Sequence, residues 1–294
     1  MHTRRFILTM VVALAACTRG DAPPAGASVD DFGERVRAGT VADPARIVSL
    51  NPATTELLFA IGAGSRLVGR THWDLWPDSA RLVPDVGDAL RPNIEAVLAR
   101  HPDLVVLYAS ADDRAAASRL RTAGVAVVAI KTDRIAEFAR AARLLGIATG
   151  EQQRAAVVVD TVERTLARVR QLTAPLSHPT VVWPVWNAPL TVIGGGSFLT
   201  ELLEIAGARN VYADLPGPSP QVSLEDVLRR NPHVVLIAPA GLARIRNSPG
   251  WRALPAVREG RIRVVDSSLV FRPSARLGEA AYSLARLLHP GKVP

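Results

Sequence analysis

Apolar and polar positions along this chain switch between two periods. Arg46-Ile47-Val48-Ser49-Leu50 is a short β-branched run and predicts a buried strand. Asn51-Pro52 predicts a helix start, since Asn caps free first-turn amides and Pro has no amide to leave unpaired there. Leu57, Leu58 and Ile61 follow at helical spacing until Gly62-Ala63-Gly64 stops the helix. Further on, Asn93 opens a short helix, Pro102 breaks it, and Leu104-Val105-Val106-Leu107 predicts a strand. A longer helical stretch begins at Asp133-Arg134-Ile135 and breaks near Gly146 to Gly150. From Glu151 to about Leu172, Val157, Val158, Val162, Leu166 and Val169 recur at helical spacing. At about 1.5 Å per residue such a helix spans roughly 30 Å. Strands alternating with helices through short connections predict an α/β fold with mostly parallel sheets flanked by helices.

The pattern occurs twice. Glu95/Glu225, Val97/Val227, Leu98/Leu228, Arg100/Arg230, Pro102/Pro232 and Val105/Val235 are all 130 residues apart. Upstream, Thr55-Glu56-Leu57-Leu58 recurs as Thr200-Glu201-Leu202-Leu203, and Gly62-Ala63 as Gly207-Ala208, at an offset of 145. Two matched blocks in the same order predict two lobes of common design. The expected organisation is an N-terminal lobe over 46–133, a rigid helical linker over 134–176 and a C-terminal lobe over 177–290.

The N-terminus carries an address. Arg4-Arg5 precedes an apolar run from Phe6 to Ala16, about half the length a membrane span needs. Residues 1–16 therefore predict a signal peptide for export, by the general or the twin-arginine route. The run ends in Leu14-Ala15-Ala16-Cys17, which resembles a bacterial lipobox. Cys17 is the chain's single cysteine and is expected to take the lipid anchor, at the periplasm or the outer face of the cytoplasmic membrane. Residues 17–45, poor in apolar side chains and rich in turn formers, predict a flexible tether.

Composition narrows the function classes. The net charge is +8, but the arginines form no cluster with interleaved aromatics, which argues against nucleic acid as a partner. The six histidines are scattered, and no Cys–His or carboxylate cluster has metal-ligand spacing. No nucleophile–base pair is legible, so no catalytic residue and no intrinsic cofactor are expected, and the chain reads as a binding protein rather than a lipid-anchored hydrolase or chelatase. Gly194-Gly195-Gly196-Ser197 lacks the Lys of a phosphate loop and reads as a turn capped by Ser197.

Taken in order, Arg46 to Gly69, Asn93 to Leu107, the long middle helix and Ser223 to Ile237 resemble the helical-backbone substrate-binding proteins of ABC importers, most of all their cobalamin-binding branch. The resemblance implies two α/β lobes, a ligand in the cleft between them, and delivery to a permease dimer by a monomer. The implied ligand is a corrinoid or another metal chelate, with ferric siderophore or haem as the alternative. Ligands of parallel sheets bind beyond the carboxyl ends of strands, and four of the five tryptophans fall at such places. Trp73 and Tyr108 match aromatic ligand contacts of that branch, and Trp183 and Trp186 are further candidates to cover a flat ring. Arg272 is expected to meet the polar rim of the ligand, while His72 is a weak candidate for a metal. Ser219 departs from the pattern, which has an aromatic before Pro220-Gln221-Val222-Ser223. Glu95 and Glu225, at equivalent places on the two lobes, match the family's glutamates that dock on permease arginines.

Overall fold

The computed structural model describes residues 28–36 and 46–294. The signal segment, Cys17 and part of the expected tether lie outside the described residues. The described part of that tether corrects the expectation. Ser28–Val29 (β1) and Arg35–Val36 (β2) pair antiparallel as a hairpin. The Asp30 carboxylate shapes its turn by accepting from the Phe32 and Glu34 amides at 2.9 Å each. Asp30 also accepts the Ala129 amide at 2.9 Å, and Asp31 accepts the Lys131 amide at 2.6 Å. Ala129 lies in the last strand of the first lobe and Lys131 just beyond it, and the Asp31 amide donates to the Ala129 carbonyl at 3.0 Å, so the hairpin covers part of that sheet edge. Composition alone hid this, because the hairpin is held by side-chain acceptors and one buried apolar residue, Val36.

The first lobe runs β3 (Ile47–Ser49), α1 (Pro52–Ala60), β4 (Leu67–Gly69), α2 (Ile94–Leu98), β5 (Leu104–Tyr108), α3 (Asp113–Thr122) and β6 (Ala126–Ile130). The linking helices are α4 (Ile135–Thr149) and α5 (Gln152–Thr173). The second lobe runs β7 (Thr180–Val182), β8 (Pro184–Asn187), β9 (Leu190–Val192), α6 (Phe198–Ile205), β10 (Arg209–Asn210), α7 (Leu224–Arg230) and β11 (Val234–Ile237). It continues through short helices α8 (Leu242–Asn247), α9 (Pro249–Arg252) and α10 (Pro255–Arg258) to β12 (Ile262–Val264), α11 (Ser267–Val270) and α12 (Leu277–Leu288).

The two sheets share one topology. The first has order β4-β3-β5-β6 and the second β10-β7-β11-β12, all parallel. In each, the chain leaves an inner strand for one side and returns on the other. The switch points therefore fall between β3 and β5 and between β7 and β11. The caps expected from sequence are present: Asn51 accepts the Ala53 amide, Asn93 the Ala96 amide and Ser223 the Asp226 amide. Each such cap is worth about 1 kcal/mol.

Strand alternation sorts the core into three clusters. Leu104 and Val106 of β5, Val181 of β7, and Val234 and Leu236 of β11 face one shared core. That core is completed by α1, α4, α5, α6 and α12 and runs continuously under both lobes. Val105 and Leu107 turn to a separate cluster on the other face of the first sheet. Val182, Val235 and Ile237 do the same in the second. The 22-residue α5 is about 33 Å long. It buries Ala155, Val159, Val162, Leu166, Val169 and Thr173, packing on α4, α6 and α12. Val157, expected on that face, points to solvent. The fold is thus α/β, with two lobes of parallel sheet flanked by helices and joined through α5.

Candidate functional site

The carboxyl end of the first sheet opens on a cavity of about 650 Å³ that the second lobe walls on its other side. The first lobe supplies Asn51, Pro52 and Ala53 from the start of α1, Trp73 from the loop after β4, Tyr108 from the end of β5, and Thr132 and Asp133 beyond β6. The second lobe supplies a more apolar wall. It includes Val185, Ile193, Phe198 and Leu199, with Pro216 and Pro218 from the loop before α7 and Phe271 to Pro273 before α12. Three glycines let these parts close up. A Cβ on Gly195 would lie 2.3 Å from the Ala213 carbonyl oxygen, and one on Gly196 2.3 Å from that of Pro216. The glycine run therefore reflects backbone crowding as well as the turn that Ser197 caps by accepting the Leu199 amide.

Two expected site residues line this cavity as aromatics. Trp73 is 54% exposed. Its loop is anchored by the buried Asp74, which accepts the Thr55 hydroxyl at 2.7 Å and the Thr71 hydroxyl at 2.8 Å. Burial pushes the Asp74 carboxyl above its ordinary range against these bonds. The Tyr108 hydroxyl donates to Asp133 Oδ1. Burial raises the phenol's pKa first, and the Asp133 carboxylate raises it further. Asp133 is also held by Lys131 Nζ at 3.1 Å.

Trp183 is a correction. It is fully buried, with its ring 5.6 Å from Phe271, and lines no part of the cavity. It lies two residues beyond Val181 and so shares that residue's inward face, continuing the shared core past the strand end. Its contribution is to back Phe271. Trp186 is a second correction. It stands on the β8–β9 hairpin beside an adjoining chamber rather than on the interlobe cavity. His72 is exposed, its ring 4.5 Å from Trp73, and lies off the cavity lining. Among the described residues no group of three or more His, Cys, Asp or Glu could hold a metal.

Arg272 lines the cavity, but its guanidinium reaches across the lobes. It donates to Glu56 Oε1 at 3.0 Å and to the Trp73 carbonyl at 2.8 Å. Ser274 donates to the other oxygen of Glu56 at 2.6 Å. Burial raises the Glu56 carboxyl, opposed by bonds from Ser274 and Arg272. A second contact ties α6 to the start of α4. Glu201 on α6 pairs with Arg134 just before α4 and accepts the Ile135 amide at 2.9 Å. Glu56 and Glu201 are the glutamates aligned by the upstream block of the internal repeat. Sequence reading aligned this pair but assigned it no role.

Glu95 and Glu225 are exposed in the first turns of α2 and α7. Residues 91–100 and 221–230 show the same order of exposed, half-buried and buried positions throughout. Among the described residues neither glutamate enters an ion pair with Lys, Arg or His. The Glu225 carboxyl is held below its ordinary range, by its own backbone amide first and by Ser223 second.

A two-lobed α/β molecule with an open cavity between its lobes is built to capture a small molecule. Residues 47–269 match the periplasmic binding protein family, and the chain belongs to it. The chain is 30% identical over 259 residues to the ABC transporter substrate-binding lipoprotein YvrC of Bacillus subtilis, covering 84% of this chain and 81% of that protein. It is 25% identical over 244 residues to the vitamin B12-binding protein of Vibrio cholerae, covering 83% of this chain and 88% of that one. Among solved structures, the periplasmic heme-binding protein RhuT from Roseiflexus superposes with a TM-score of 0.76 at 27% identity, covering 84% of this chain and 99% of that one. The protein is thus a substrate-binding protein of the kind that serves ABC transporters.

Proposed function

We propose that this protein captures a corrinoid in the interlobe cavity and delivers it to the permease of an ABC importer. The observation that carries the choice of ligand is the pairing of Tyr108 with Asp133. They are the phenol and the carboxylate on the cavity lining, where no His, Cys or Met side chain stands among the described residues. They are spent on each other, and the phenol holds its proton more tightly than usual. Haem iron takes a protein axial ligand, commonly His, Cys, Met or Tyr. A corrinoid is recognised through its organic shell, by aromatic faces such as Trp73 and Tyr108 and an apolar wall opposite. Arg272, already committed to Glu56, offers its remaining donors to amide oxygens on the ligand rim.

The reading includes export, acylation of Cys17 as a membrane anchor, and monomeric docking through Glu95 and Glu225. Those two charges stand on equivalent turns of a duplicated design, which suits a two-fold symmetric permease. The similarity to the heme-binding structure supports haem or a ferric chelate as the second reading.

Titration of the protein with cyanocobalamin, haemin and a ferric siderophore, followed by tryptophan fluorescence and visible spectra, separates the two. Saturable quenching by cyanocobalamin, with no shift of the haem absorption band, is expected. A ligated haem spectrum without corrinoid binding would replace the first reading with the second. The double variant Glu95→Ala/Glu225→Ala is expected to abolish uptake in cells while leaving ligand affinity within about twofold, because both side chains lie off the cavity. Equal losses of affinity and uptake would remove the docking role.

A further inference from the structure

Beside the interlobe cavity lies a second chamber of about 340 Å³ in the second lobe. It shares Val185 and Phe271 with the main cavity, so the two adjoin along one wall. Its place follows from topology. The switch point of the first sheet, between β3 and β5, opens on the main cavity through Asn51, Pro52 and Tyr108. The switch point of the second sheet, between β7 and β11, opens on the side chamber through Pro184, Val185, Ile237 and Ala238. Crevices at such points are where parallel sheets bind ligands. In this duplicated molecule the second of them has no assigned occupant.

Its lining specifies a chemistry. Trp251 and Ile245 make a buried apolar floor. Trp186, at the mouth, is 67% exposed. Its indole N–H is used on the Ala188 carbonyl at 3.1 Å, which leaves the ring itself for contact. Arg244 is exposed at the same chamber, makes no ion pair among the described residues, and meets no carboxylate on the lining. An accessible indole, an apolar floor and an uncommitted guanidinium suit a flat ring that carries an anionic group.

We propose that this chamber is a second binding subsite for an aromatic ring bearing a phosphate or carboxylate. Such a group can arrive in two ways: as an arm of the ligand held in the main cavity, or as a separate small molecule. The arm version rests on the corrinoid reading, and the subsite itself does not.

The test uses the whole exported chain with indole nitrogens labelled for NMR and phenyl phosphate as the probe. The Trp186 indole signal, identified with Trp186→Phe, is expected to shift saturably at millimolar probe while that of Trp73 stays in place. Arg244→Ala is expected to weaken that binding at least tenfold. No shift at Trp186, or a shift undiminished in Arg244→Ala, overturns the subsite whatever corrinoids do. The source is then read from cobalamin and from cobinamide, which lacks the phosphate-and-base arm. Weakening of cobalamin alone by Trp186→Ala assigns the chamber to an arm of the main ligand. Equal effects on both, or none, assign it to a separate anionic ring. If the wild type binds neither corrinoid, the proposed ligand falls while the phenyl phosphate result still decides the chamber.

Discussion

Trp73 and Trp183 both follow a strand of a parallel sheet, and the structure gives them opposite surroundings. Trp73 projects from an anchored loop into the interlobe cavity, whereas Trp183 lies behind Phe271 in the shared core. Trp73→Ala is expected to weaken ligand binding by roughly tenfold or more, as loss of a large buried contact implies, without lowering the melting temperature. Trp183→Ala is expected to cost about 3–5 kcal/mol of stability, as large-to-small core changes do. Urea denaturation and ligand titration of the two variants check both statements, and reversed outcomes would exchange their assignments. The aromatic residues were legible in sequence as a group. Their facing was not, because β7 ends at Val182 while the backbone continues its alternation through Trp183 and into β8 at Pro184. Position after a strand places a residue near a site, and inward or outward facing then depends on where the chain bends.

Between elements, two acids tie α1 to the second lobe and α6 to the start of the linking helices. Glu56 meets Arg272 and Ser274, and Glu201 meets Arg134. The sequence displayed this pair only as a repeated Thr-Glu-Leu-Leu. Their partners could not be read from it, because Arg272 lies 216 residues from Glu56 and the two meet only once the lobes are packed. Burial sets the pH behaviour of Glu56, holding its carboxyl above the ordinary value of 4.5. An acid raised on folding binds its proton more tightly in the native state. Its contribution to stability is therefore greatest at low pH and declines as pH rises from 4.5 through the raised value. Glu56→Gln removes that titration. The stability of the wild type relative to Glu56→Gln is expected to improve as pH falls from about 7 toward about 4.5, read from paired urea melts. A difference that stays constant over this range would show that Glu56 does not titrate there.

At the scale of the whole molecule, α5 and the shared core leave the lobes little room to swing. The duplicated halves, the parallel sheets and the helical connection were all legible, because they rest on strand and helix periods that repeat in the chain. The common core beneath both lobes was not, since periodicity shows that a face is apolar without showing what covers it. Spin labels at Ser118→Cys and Arg246→Cys, exposed on the first and second lobes, are expected to keep their separation within about 2 Å on addition of ligand, in a chain with Cys17 replaced by serine. A larger closure would mean that the Glu56 and Glu201 contacts open in use.

The docked hairpin bears on the proposed lipid anchorage. With Asp30 and Asp31 bonded to the backbone of Ala129 and Lys131, only ten residues separate Cys17 from Ser28, where the described residues begin. The eleven steps from Cys17 to Ser28 reach at most about 40 Å when drawn out straight. An acylated Cys17 would therefore act as a short mooring line, keeping the body within roughly one molecular width of the bilayer. Encounters with a permease would then come from drift in the plane of the lipid, with the first lobe always on the moored side.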